Sequence, residues 1–333
     1  MSDERTALLG MMWVAVALQV ALPAYFLWEL VRARRRSRIE LLLVLAVAAG
    51  YLAYAYFAQI WAVSTVYLRG AWPVLLLVAA VYALSGWRAL EVWPRRRGGW
   101  FYLRNVLDGL VALFLVLLTL GALAGRRAPE GGIELAFPLE AGYVWNGGKG
   151  PFLNAHYPAA AQRHALDLVA LDAYGRRARG VYPEDLAAYR VYRATVRSPC
   201  DCRVVRAVDG LPDQPPGIMD RKRLAGNHLV LALRQGGEDY LVLLAHLSPG
   251  SLRVGEGERV RRGEPLARVG NTGNTSEPHL HLHAVRGRDP REIFRAPAVP
   301  VFFQGRYLVR GDLVVASGSG EASRRAREDR ASR

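Results

Sequence analysis

The stretch SEPHLHLHAV, residues 276–285, sets His279, His281 and His283 on every second position. In a β-strand, side chains two apart point to the same face. The three imidazoles then form one row, about 6–7 Å apart at Cα given the strand rise. Imidazole is a common zinc ligand, and a catalytic zinc takes three protein ligands and leaves a fourth position for water. The row can supply one or two of these, so a distant carboxylate and another histidine must supply the rest. NAHYPAAAQRHALDLVAL, residues 154–171, offers His156, His164 and Asp167, and LLAHLSPGSL, residues 243–252, offers His246 at the end of an apolar run.

The elements that must position these groups lie in the second half of the chain. All seven histidines fall between His156 and His283. HLVLALR, YLVLLAHL, EPLARVG and HLHLHAV read as short strands separated by Gly-rich and Pro-containing turns, the pattern of an antiparallel β domain. The first 125 residues are of another kind. Leu8 to Leu30, Leu41 to Val63, Trp72 to Leu90 and Val106 to Ala124 are apolar runs close to the ~20 residues that cross a bilayer. No small-residue cleavage site follows the first run, so it reads as an anchor rather than a signal peptide. Tyr67, Trp72, Trp93 and Trp100 flank the runs as interfacial aromatics do.

The net charge of +15 is nearly all arginine, the lysines being Lys149 and Lys222. Five arginines in RARRRSR and five more from Arg88 to Arg104 fill the loops after the first and third runs, whereas the loop between the second and third has Arg69. Such loops stay in the cytoplasm. The charge therefore points to a membrane surface and not to nucleic acid, with both chain ends and the β domain outside the cytoplasm. The organisation expected is a transmembrane region of about four helices over 1–125, a linker at 126–134, a β domain at 135–316 and a disordered basic tail at 317–333. Cys200 and Cys202 are too few for a Cys-rich zinc site, and their spacing closes poorly into a disulfide, so they read as incidental.

VGNTGNTSEPHLHLHAV and LLAHLSPGSLRVGEGERVRRGEPLARVGNTG resemble the closing segments of the lysostaphin-type, or LytM-like, zinc metallopeptidases of family M23. VRSPCDCRVVRAVDG followed by GNHLVLAL resembles the family's preceding strands. FPLEAGYVWNGGKGPFLNAHYPAAAQRHALDL resembles the entry strand of a branch with an Asn-x-His and a later Gln-Arg-x-Ala-x-Asp. The resemblance covers about residues 135 to 290 and leaves the membrane half uncovered. It implies an all-β antiparallel catalytic domain, here following a four-helix transmembrane α region. It further implies a zinc ion in a groove and hydrolysis of peptide bonds in peptidoglycan, at the outer side of a bacterial cytoplasmic membrane. By position, Asp167 and His281 would be zinc ligands, and His246 and His279 the catalytic histidines beside the metal.

The usual first ligand stands four residues before the aspartate, and that position is Arg163 here. His156 and His164 are the candidates to replace it. On a regular strand His164 and Asp167, three apart, would face opposite ways. His156 lies on a separate stretch before Pro158, and the branch resemblance also points to it, so the expected ligand set is His156, Asp167 and His281. His283 falls outside that set and reads as a rim or supporting group; His228 either lines the groove or sits on the surface. The implied partners are peptidoglycan peptides and membrane lipid, with any regulatory partner in the envelope unidentified. The rival readings are a metal-free cell-wall binding or activator module, and a transporter or sensor with an accessory outer domain. The spans hold few ionisable groups, Asp108 among them, which speaks against transport.

Overall fold

A computed structural model describes residues 2–33, 36–93 and 98–316. Parts of both arginine-rich loops and the 317–333 tail lie outside the described residues. The chain divides into two compact units, one containing residues 10–124 and the other most of the remainder.

The first unit is helical. Helices α1 (Ser2–Ala33), α2 (Arg38–Ala58), α3 (Tyr67–Leu84) and α4 (Gly99–Gly125) are each long and apolar enough to cross a membrane. Helix α2 starts with a capping box: Ser37 accepts from the Glu40 amide, and the Glu40 side chain reaches back to the Ser37 amide. Two helices end earlier than the apolar runs suggest. Trp61–Val63 and Trp87–Ala89 are separate 3-10 turns. The polar Gln59 and the Ser85-Gly86 pair interrupt the helices while hydrophobicity continues. Glu29, inside the first apolar run, is buried and pairs with Arg36 at 2.9 Å and Arg104 at 3.4 Å. Arg104 also approaches Asp108 at 3.6 Å. The ionisable groups of this unit are thus more numerous than Asp108 alone, and these are tied into one charge-balanced cluster near helix ends.

The second unit is built on a nine-stranded sheet. Its order is Leu313–Val315, Ala141–Asn146, Leu166–Val169, Leu280–Arg286, Glu238–Leu247, Asn227–Gln235, Cys202–Val208 and Arg259–Val260, with Ala298–Val299 also pairing to Leu280–Arg286. Each of its pairings is antiparallel. A small flanking sheet contains a parallel pair, Ile133–Leu135 with Val301–Phe303. The histidine-bearing strand Leu280–Arg286 sits in the middle, flanked by Leu166–Val169 and Glu238–Leu247. A central strand buries both faces, which is why Leu280, Leu282 and Ala284 alternate with the histidines. Cross-strand partners share a face. His281 therefore lies beside Asp167 and Ala245, and His283 beside Leu243. Leu243, Ala245, Val285 and Ile293 belong to a buried apolar cluster, so the row runs from the sheet's apolar packing toward the polar site.

Cys200 and Cys202 are joined in a disulfide, contrary to the sequence expectation. The chain bends at Cys200–Asp201, with the Ser198 hydroxyl donating to the Cys200 carbonyl at 2.7 Å. The Cα atoms come within 5.4 Å, inside the usual disulfide range.

Candidate metal centre

Asp167 and His281 meet because their strands pair in register at these residues. His281 Nδ1 lies 2.9 Å from Asp167 Oδ1, and His156 Nε2 lies 2.8 Å from Asp167 Oδ2. His156 arrives from outside the sheet, on the stretch before Leu166–Val169. Asn154, fully buried, pins that stretch: its amide donates to the carbonyls of Gly148, Arg163 and Ala165, and its Oδ1 accepts from the His156 amide. The Asn-x-His pattern is thus a clamp followed by the group it aims.

His164 goes elsewhere. It precedes the strand, which begins at Leu166, so the alternation argument does not govern it. Its Nδ1 is 2.9 Å from the Tyr307 hydroxyl. Burial, then the charges of Arg163 and Lys149, push its pKa down to about 4. Arg163 is exposed and its guanidinium lies over the Tyr157 ring. His228 is partly buried, with Nδ1 held by the Gly226 carbonyl at 2.8 Å.

Burial alone would raise the Asp167 carboxyl, but His156 and His279 beside it hold it well below the usual carboxylate range. Asn146 Nδ2 donates to Asp167 Oδ2 at 2.8 Å, and Arg310 donates to Asn146 Oδ1 at 2.7 Å. A bulge between Val144 and Asn146 re-aims Asn146 onto the aspartate. Neither Asn146 nor Arg310 stands out in the sequence, because their role depends on that bulge and on contacts 21 and 164 residues apart.

His246 and His279 adjoin this set, with ring centroids 4.8 Å apart. His246 has a left-handed backbone, φ 64°, rare for a non-glycine residue and a mark of functional sites. Backbone bonds from the His246 amide to Ala225 and from the Gly270 amide to the His246 carbonyl hold it there. Its Nδ1 donates to the Thr272 carbonyl at 2.8 Å, which leaves Nε2 bare. His279 is oriented alike: Nδ1 donates to the Glu277 carbonyl at 2.8 Å, and its Nε2 lies 3.4 Å from Asp167 Oδ1. Burial, then the charges of His279 and His281, hold His246 well below the usual histidine range. Burial would lower His279 too, but the Asp167 charge and hydrogen bond raise it overall.

Arg177, missed in the sequence reading, braces the segment that carries His279. It is buried and pairs with Glu277 through Nε at 2.6 Å and NH2 at 2.8 Å, while its guanidinium lies over Trp145. Glu277 is in turn the residue whose carbonyl orients His279.

Two donor triplets share His281: His156, Asp167 and His281, and His246, His279 and His281. In each, the ligand atoms lie within 4.8 Å of one another. The first fits a zinc ion by its chemistry: two ring nitrogens and one carboxylate oxygen, with the carboxylate buried where an unpaired anion would be costly. His281 and His283 are almost wholly buried, at 3% and 1% exposure, so His283 is not on a rim.

Comparison with known proteins follows the same half of the chain. The model of peptidase family M23 matches residues 185–292. That segment contains His246, His279, His281 and His283, whereas His156 and Asp167 precede it. The β domain resembles M23 peptidases and follows four long apolar helices. Among curated proteins, the chain is 42% identical over 65 residues to the peptidoglycan DD-endopeptidase ShyA of Vibrio cholerae. The alignment covers 19% of this chain and 14% of that protein, so the chain matches about a seventh of the relative's length. Similar solved structures include a putative peptidase M23 from Pseudomonas aeruginosa, 19% identical, with a TM-score of 0.28 over 52% of this chain and 57% of that one. Lysostaphin of Staphylococcus simulans is 15% identical, with a TM-score of 0.28 over 49% and 47%. A zinc-containing peptidase from Vibrio cholerae is 22% identical, with a TM-score of 0.23 over 40% and 45%.

Proposed function

We infer that the chain is a membrane-anchored zinc metalloendopeptidase that hydrolyses peptide bonds in peptidoglycan. The observation that carries this reading is the buried convergence of His156, Asp167 and His281 beside two histidines whose Nδ1 is tied to a backbone carbonyl. Residues 1–125 anchor the chain, 126–134 link, 135–316 form the catalytic domain and 317–333 are a basic tail. The arginine-rich loops set the catalytic domain outside the cytoplasm, facing the cell wall.

His156, Asp167 and His281 would hold the ion, and Asn146 keeps the carboxylate aimed. Bound zinc supplies Lewis acidity toward a peptide carbonyl and toward water. With Nδ1 held by a carbonyl, His246 and His279 each have Nε2 left for proton transfer, so either, when neutral, can take a proton from the attacking water and return it to the leaving amine. The second histidine, carrying its proton on Nε2, would steady the developing oxyanion. His279 is assigned as the base, as the neighbour of the ligand His281 in the row.

The test is zinc content and muropeptide release by the full-length protein and its variants. His156→Ala and His281→Ala should lose both metal and activity. His279→Ala and His246→Ala should keep most of the zinc and lose turnover, and His164→Ala should keep both. Loss of zinc on removing His246 or His279, with His156→Ala still loaded, would move the metal to the other triplet. A fully active enzyme without metal would refute the reading.

A further inference from the structure

The helical unit holds an arginine that its ion-paired cluster does not use. In that cluster the carboxylates of Glu29 and Asp108 face the guanidiniums of Arg36 and Arg104, so the charges balance. Arg32, one turn before Arg36, has no carboxylate partner among the described residues; its guanidinium lies 4.4 Å from the centre of the Trp28 ring. Arg32 and Arg36 line a cavity of about 800 Å³, together with Tyr82, Gly86, Ala89 and Leu90 at and just beyond the end of α3. Its lining, among the described residues, holds no carboxylate. Arg36 Nη2 donates to Glu29 at 2.9 Å, whereas Nη1 is buried and has no hydrogen-bond partner. A buried donor without an acceptor is costly, so an anion entering the cavity would meet both a net positive charge and an unused N–H.

The level of the cavity says which anion. It lies at the polar ends of α1 and α3, both long and apolar enough to cross a membrane, where the headgroups of a bilayer stand. Trp28, one turn before Arg32, and Val78, one turn before Tyr82, are exposed on the helices below it. We propose that this cavity binds the headgroup of an anionic phospholipid. The phosphate pairs with Arg32 and accepts from Arg36, and the acyl chains run along the exposed faces of α1 and α3. Basic pockets between the ends of membrane helices suit such headgroups. A free phosphate shares the chemistry at the arginines but makes no contact along the helices. The proposal rests on the membrane reading of residues 1–125 and is independent of the metal centre.

The experiment is native mass spectrometry of the full chain in detergent, titrated with phosphatidylglycerol, with phosphatidylcholine, and with inorganic phosphate as competitor. One phosphatidylglycerol should be retained per chain in preference to phosphatidylcholine, and phosphate should not displace it. Arg32→Gln should weaken retention about fivefold, the contribution of one arginine near a membrane surface. Arg36→Lys keeps a cation for Glu29 but loses the second nitrogen, and should weaken it as well. Ala89→Trp fills the cavity with every charge in place and should abolish retention. Arg88→Gln removes an arginine that does not line the cavity and should change nothing. Arg32 and Ala89 are exposed, so their variants leave the helix packing intact. Equal retention of phosphatidylcholine, or displacement by millimolar phosphate, would overturn the proposal. So would an Arg88→Gln loss equal to that of Arg32→Gln, or lipid still held by Ala89→Trp. Binding in detergent does not depend on which leaflet the cavity faces, so failure here is separate from failure of the topology above.

Discussion

Replacing Arg177 with methionine should destabilise the β domain far more than an exposed ion pair would allow. The Arg177 and Glu277 side chains are 1% and 4% exposed, and two short bonds join them. The substitution removes the cation and leaves the Glu277 carboxylate buried without its partner. Breaking a buried pair from one side costs about 3–5 kcal/mol, because a charge is left without a partner. For a domain of this size each kcal/mol lowers the melting temperature by about 2–4 °C, so the drop should be about 6–20 °C. Removing both charges, as Arg177→Met with Glu277→Met, should recover at least half of that loss, since buried pairs are often replaceable by apolar groups. The functional effect follows from geometry: the Glu277 carbonyl receives the His279 Nδ1–H, so a displaced Glu277 releases the ring. The single variant should therefore lose turnover while keeping zinc. Thermal unfolding of the full-length protein in detergent, with limited proteolysis to mark the β-domain transition, reads the first quantity; zinc content and muropeptide release read the second. A single variant that melts with the unmodified protein, or a double variant as unstable as the sum of the singles, would show that this pair does not brace the site.

Asn146→Ala should weaken zinc binding about 10- to 100-fold by freeing the Asp167 carboxylate, measured by chelator competition; unchanged affinity would show that the aspartate is held by its strand alone. Gly226→Ala should be strongly destabilising, because Gly226 has φ +58° and an added Cβ would collide with the Thr272 carbonyl that orients His246; a variant with normal melting and turnover would contradict that packing. His164, held down to about 4 in the folded state, is protonated first in the unfolded chain. Its contribution to stability is complete above its ordinary value of 6.5 and is lost as the pH falls from there through about 4, so His164→Asn should flatten the acid side of the stability profile; an identical slope in the two proteins would refute this. A reporter fused after Ala128 should read as extracytoplasmic, and a cytoplasmic signal would remove access to the cell wall.

The sequence by itself determined the two-part organisation and the spacing of the histidine row. Runs of apolar residues near bilayer length require helices that satisfy their own backbone, and α1 to α4 are the result. Strand alternation puts His281 and His283 in one row because the strand is regular through Leu280–Arg286, and His279, just before it, still reaches Asp167. The tertiary structure decided what the row meets. Asp167 faces His281 through a register between strands more than a hundred residues apart. The same rule does not govern His164, which precedes its strand, and the bend at Cys200–Asp201 closes a disulfide that the two-residue spacing spoke against. Asn146, Arg177 and Arg310 left no trace in spacing or composition. Each acts through a bulge or a buried contact, and such partners are chosen by packing rather than by neighbours in the chain.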